Sequence, residues 1–310
     1  MKKDQKLREK VSQWLEEAYE TDDDRTCETL AQNVLSVSPD NPEALLLLAE
    51  VFQGNEQEYQ ERLRHVLRVL RDPDPDWLGL LSEGCLPEWL KAASLQRLAF
   101  SLLGNENSTE EELSEALSLS GELMEIDPEG QTLGRLLHYG ALLRLGRYRE
   151  ALKETMADPE DSPERAYTRA LASFRLSGPC AEAYKAVCSA IRTDPDLPFL
   201  MTGIWELDDE PSEESDRAHA MALVFGPLLE QDEQTAAWFN TPILIFGFLT
   251  ERLPEEMAQS LEPQLDEAGM GDMLKIAQGQ LDALLQQDTE QDPDRIDDLA
   301  AEILAQMGDF

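Results

Sequence analysis

Apolar residues recur along most of this 310-residue chain every three or four positions, with polar residues between them. That is the period of a helix with one buried face. The stretch "CETLAQNVLSVSPDNPEALLLLAEVF" (27–52) predicts a helix ending at Pro39 and a second starting at Pro42. Proline suits a first helical position, because its missing N–H is not needed there. "SEALSLSGELMEIDPEG" (114–130) predicts a helix ending at Pro128, and Ser108 with Glu111 has the spacing of a capping box at a helix start. "DRIDDLAAEILAQM" (294–307) puts Ile296, Leu299, Ile303 and Leu304 on one apolar face. The only β-like run is "TPILIFGFL" (241–249), which an all-helical context turns into a buried helix. Proline and glycine crowd "RDPDPDWLGLLSEGCLPEWL" (71–90), an expected irregular crossover, and "ELDDEPSEESD" (206–216) is an expected acidic loop. The fold class is therefore all-α.

A finer order shows in "RLSGPCAEAYKAVCSAIRTDPDLP" (175–198) and the residues before it. Tyr167 and Phe174 stand two helical turns apart on one face. Gly178 falls where a helix end favours a left-handed residue. Ala183 and Ala190 fall where a second helix must approach the first closely, and Pro195 ends the unit. "LGRYREALK" (145–153) repeats the turn and the start of the second helix with Gly146, Tyr148 and Ala151. Pro128 and Pro195 stand close to two periods of about 34 residues apart. This resembles the tetratricopeptide repeat (TPR), a hairpin of antiparallel helices. The resemblance implies a TPR-like helical-hairpin solenoid with an irregular insertion and a helical C-terminal cap. Along the chain it divides into N-terminal TPR-like helices (1–70), an irregular crossover with helices (71–105), a TPR core (106–205), an acidic loop with buried helices (206–252) and an acidic helical C-terminal segment (253–310).

The segment order over about residues 85–240 is similar to bacterial TPR proteins related to the suppressor-of-tumorigenicity-seven family. The match runs through "TLGRLLHYGALLRLGRYREALK", through "AYTRALASFRLSGPCAEAYKAVCSAIRTDPDLPFLMTG", and on to Trp238. Where the family pattern has Asn-Pro-His-Val-Pro, this chain reads Asp194-Pro195-Asp196-Leu197-Pro198. The resemblance implies a helical solenoid and no catalytic chemistry.

Charge narrows the partners. Lys and Arg total 26 against 64 Asp and Glu, a net charge of −38. Sequence-independent nucleic-acid binding and anionic membranes both need cations, so neither is expected. No signal peptide and no membrane span is expected, and Cys27, Cys85, Cys180 and Cys188 lack CxxC spacing. That suits reduced thiols in a cytoplasm, with Cys180 and Cys188 on one face of a helix.

No metal, cofactor or catalytic site is expected. His65, His138 and His219 are far apart in sequence, and neither dinucleotide nor P-loop glycine motifs occur. The acidic runs 22–24, 72–76 and 208–216 do not follow the alternation of a calcium loop. Trp14 and Trp238 fit helix core faces. Trp77, after "DPDPD", has two readings, an exposed anchor for a partner or a side chain folded back on the core. The first helices of the hairpins are poor in Lys and Arg, so a dicarboxylate clamp is not expected, and Arg144, the cation of "LLHYGALLRLG", is with Trp77 a candidate partner contact. The expected function is a non-enzymatic protein-interaction scaffold for a basic or apolar segment. The alternative is an acidic decoy that mimics nucleic acid, whose complex would weaken steeply with salt.

Overall fold

The structure, a computed structural model, describes residues 2–105, 107–159, 161–207, 216–229, 233–267, 271–286 and 292–307. Among these residues it contains seventeen helices and no strand. Contacts divide the chain into two compact units, Met1–His138 and Tyr139–Phe310.

The first unit holds α1 (Lys2–Glu20), α2 (Asp24–Leu35), α3 (Pro42–Glu50), α4 (Glu56–Arg71), α5 (Pro75–Leu78), α6 (Pro87–Gly104), α7 (Glu110–Ile126) and the start of α8 (Gly134–Arg144), inside which the division falls. Consecutive helices pack on one another: α1 on α2, α2 on α3, α3 on α4, and, past the short α5, α4 on α6 and α6 on α7. Short polar residues start them. The Asp23, Asn41 and Asn55 side chains accept from the backbone N–H groups of Thr26, Ala44 and Glu58, filling donors that a helix start leaves open. Val11 and Leu15 of α1, Ala31 and Val34 of α2, and Ala44 and Leu47 of α3 share one buried cluster.

Two local expectations move. The capping box sits one residue later than the spacing of Ser108 and Glu111 suggests: Thr109 exchanges bonds with Glu112. Ser108 turns back to the carbonyls of Leu102 and Asn105, which end α6. The crossover at 71–90 is irregular only to Leu86, interrupted by α5, and α6 starts at Pro87, a proline in its favoured first-turn place.

The second unit holds α9 (Tyr148–Ala157), α10 (Pro163–Ser177), α11 (Ala181–Thr193), α12 (Leu197–Met201), α13 (Asp216–Leu229), α14 (Glu233–Leu249), α15 (Glu255–Glu267), α16 (Gly271–Leu285) and α17 (Pro293–Met307). Helix α10 lies between α9 and α11, and α17 packs on α11, α14 and α16 through buried Leu299, Ile303 and Leu304. The run 241–249 is helical, as the end of α14, with Ile243, Ile245, Phe246 and Leu249 buried. A Cβ at Gly247 would stand 2.6 Å from the Phe199 ring, so this glycine is what lets α12 come so near α14. Of the acidic loop, residues 208–215 lie outside the described residues, and Asp216 opens α13.

Between α10 and α11 the chain turns at Gly178, with φ +70° and ψ −163°. Only glycine adopts that region readily. A Cβ there would meet nothing within 4 Å, so an alanine would suffer backbone strain alone. Gly178→Ala is expected to lower stability by about 1–3 kcal/mol, read by denaturant unfolding. A cost below the error of that measurement would show that the turn relaxes without the glycine.

Candidate functional site

The crossover brings distant segments together in the first unit. Tyr19 from the end of α1, Glu43 and Glu50 from α3, Cys85 from the turn, and Trp89 and Arg97 from α6 line an open pocket of about 600 Å³. Glu43 forms its floor and is fully buried. It accepts the Ser82 backbone N–H at 2.9 Å and the Ser82 hydroxyl, which anchors the turn to α3. Burial first and the Glu43 carboxylate second push the Cys85 thiol up to about 12 and raise the Tyr19 hydroxyl as well. Both groups therefore stay protonated at neutral pH and can donate to Glu43, and Cys85 is a poor nucleophile. On one side Arg97 pairs with Glu50 at 2.5 Å. The rim is apolar and open: Trp89 is 68% exposed, Tyr19 54% and nearby Leu86 51%.

Of the two readings of Trp77, the exposed anchor for a partner is overturned and the side chain folds back on the core. It is buried, at 2% exposure, because Pro75 opens a one-turn helix that folds the indole inward. The exposed tryptophan is Trp89, which sequence reasoning passed over. A wheel of α6 could have found it: Leu90, Ser94, Leu98 and Leu102 form the buried stripe, four residues apart, while Trp89, Ala93 and Arg97 form the adjacent stripe on the pocket.

Arg144 is half-buried in the last turn of α8, where another group engages it. Cations do gather elsewhere in the second unit. Arg165, Arg169 and Lys185 line a groove of about 520 Å³ beside α10 and α11, with Asp161 and Glu182 among them. Arg165 is already committed there, donating to the Thr155 carbonyl at 2.7 Å and pairing with Asp161 at 3.4 Å.

The residues of the hairpin pattern fall as follows. Tyr167 and Phe174 are buried on α10, and Ala183 and Ala190 are buried on α11. Pro195 follows α11. Gly146, with φ +69°, separates α8 from α9, which Tyr148 opens and where Ala151 is buried. Pro39 and Pro128 follow α2 and α7 on exposed turns. Trp238 stacks on Phe174 with ring centres 4.2 Å apart. Cys180 does not share a helix face with Cys188: it precedes α11 as its N-cap, and Cys188 is buried within it. All four cysteines are unpaired.

The second unit buries polar groups that lack partners. Glu164, Tyr167 and Thr168 share a face of α10 in the i, i+3, i+4 relation, and Glu164 Oε2, the Tyr167 hydroxyl and Thr168 Oγ1 are buried without a hydrogen bond. Asp194, at the end of α11, feels this cluster. Burial foremost, and the Asp196 and Glu164 charges besides, raise its carboxyl, against the N–H groups of Leu197 and Asp196. A carboxyl raised on folding adds stability below its unfolded pKa, which is lost as pH rises through the folded value. Asp194→Asn keeps the acceptor and removes the charge. It is expected to raise the melting temperature at pH 7 and to lose that advantage below about pH 4. An unchanged difference across that interval would show that the Asp194 charge is not destabilising.

Among the described residues no group of three or more His, Cys, Asp or Glu could hold a metal ion, and no helix is long and apolar enough to cross a membrane. No family model matches the chain, and neither the curated proteins nor the solved structures contain a match to it.

Proposed function

We propose that the chain is a non-enzymatic docking module, a TPR-type helical-hairpin scaffold that holds a segment of another protein in the cytoplasm. The resemblance of residues 85–240 to the suppressor-of-tumorigenicity-seven family belongs to the same reading. Support for the TPR arrangement comes from the helix pair α10–α11, with its glycine turn and its buried Ala183 and Ala190. The observation that carries the docking reading is Trp89, 68% exposed on the rim of a pocket with a buried carboxylate floor. Tryptophan is among the most buried side chains on average and is enriched at the centres of interfaces. With a net charge of −38, the chain suits a basic or apolar segment.

The test is photo-crosslinking in native lysate from a benzophenone amino acid at Leu86, in the wild type, in Trp89→Ala and in Ile276→Ala, a control on another exposed apolar residue. A discrete partner is expected that survives high salt, falls at least about tenfold with Trp89→Ala, as for an interface anchor, and persists with Ile276→Ala. Equal labelling in wild type and Trp89→Ala would overturn the reading. A basic nucleic-acid-binding partner, insensitive to Trp89 and lost at high salt, would replace it with the decoy.

A further inference from the structure

We infer that the Trp89 pocket is a seat for one cationic side chain, a lysine or arginine presented by a basic segment of the partner. The inference rests on the docking reading and deepens it.

Three carboxylates line the pocket, Glu43, Glu50 and Glu83, against the single cation Arg97. Arg97 is held on Glu50 and so neutralises that carboxylate alone. Glu43 has a different kind of partner. It accepts from the neutral Ser82 amide and hydroxyl, with the protonated Tyr19 and Cys85 beside it, so dipoles and no cation face it. A buried carboxylate satisfied only by dipoles leaves a negative potential at the pocket floor, stronger than at an exposed site because less water screens it. Glu83 adds an exposed carboxylate at the mouth.

The walls suit the rest of such a side chain. Trp89 and Tyr19 are exposed aromatic side chains of the lining, and Leu46, Leu90 and Ala93 line it beside them. A lysine or arginine combines an apolar stem with a charged head, and the head is attracted to an aromatic face as well as to a carboxylate. The same unit already uses this contact internally. Lys10 Nζ lies 4.4 Å from the Trp14 ring centre, and the Arg62 guanidinium lies 4.1 Å from that of Phe52. An acidic side chain would be repelled by Glu83 at the surface and by Glu43 beneath it, and a purely apolar one would gain nothing from either charge.

The probes are the N-acetyl amides of lysine, arginine, norleucine and glutamate, titrated against full-length protein labelled with 5-fluorotryptophan. The chain has five tryptophans, and the fluorine signal lost in Trp89→Phe identifies that of Trp89. The lysine and arginine amides are expected to move the Trp89 signal saturably, with norleucine amide about three- to tenfold weaker and the glutamate amide without effect. Glu83→Gln, on an exposed turn where folding is not at stake, is expected to weaken the cationic probes about two- to fivefold and to leave norleucine amide unchanged. Norleucine amide binding as tightly as lysine amide would overturn the cation seat while leaving the docking reading to its crosslinking test. No probe moving Trp89 would overturn it too, and a Trp89-dependent crosslink would then show a partner held through other chemistry.

Discussion

Arg252→Ala is expected to destabilise the second unit by about 3–5 kcal/mol, the cost of leaving a buried charge without its partner. Arg252 follows α14 and reaches α17, where its two terminal nitrogens donate to the two carboxylate oxygens of Asp297 at 2.5 and 2.9 Å. Its Nε donates to Asp196 at 2.7 Å, and its carbonyl accepts the Trp205 indole N–H at 3.1 Å. One residue thus ties α17, the turn into α12 and the indole behind Phe199. Asp297 is buried, so truncating the arginine strands a carboxylate where water cannot replace the lost donors. The forked geometry matters as much as the charge. Arg252→Lys offers a point charge in place of the fork and is expected to recover less than half of the loss. Arg252→Met with Asp297→Leu removes both charges and is expected to lie close to wild type, because an apolar pair escapes the desolvation penalty. Urea unfolding of the three variants checks the set. An Arg252→Ala protein within about 1 kcal/mol of wild type would show that Asp297 is solvated and the pair superficial.

That prediction could not have been made from the sequence, and the reason is general to this chain. Helix starts depend on neighbours within a turn, so Pro42, the Gly178 turn and the helical reading of 241–249 were legible from local chemistry. Where two local signals compete, legibility falls to a residue or so. Ser108 and Thr109 are both capping residues followed three places later by a glutamate, and the choice between them turns on Ser108 being drawn back to the end of α6. Pairings across the fold are a harder case. Among 64 acidic residues nothing local marks Asp297 as buried, or Glu43 as the one beneath a pocket. The pocket draws on α1, α3, the crossover turn and α6, so only packing brings its residues together. Trp77 and Trp89 show how narrow the margin is. Each follows a proline that opens a helix, by two residues. In α5 the helix is one turn long and the indole closes it onto the core. In α6 the helix continues, and the stripe of Leu90, Ser94, Leu98 and Leu102 claims the buried face, leaving Trp89 outside.

Arg217→Ala is expected to cost about 3 kcal/mol, and its companion Tyr167→Phe to cost nothing or to stabilise. Both touch the buried polar face of α10. Glu164 is fully buried, and its Oε1 takes two donors from Arg217, in the first turn of α13. Its Oε2 has none. Removing Arg217 therefore strands a carboxylate that is already half-satisfied. The arginine is itself 39% exposed, so its own attraction is partly screened, and the expected loss sits at the lower end of the range for buried pairs. Tyr167→Phe is the opposite case. Its hydroxyl is buried without a partner, so deletion removes a desolvated polar group and keeps the ring that fills the core. At about 2–4 °C per kcal/mol for a unit of this size, Arg217→Ala should melt roughly 6–12 °C below wild type and Tyr167→Phe at or above it. A Tyr167→Phe protein that melts several degrees lower would mean that an ordered water bridges the hydroxyl to Glu164 and Thr168. The cluster would then be a satisfied network, and its energy would be distributed through all three groups.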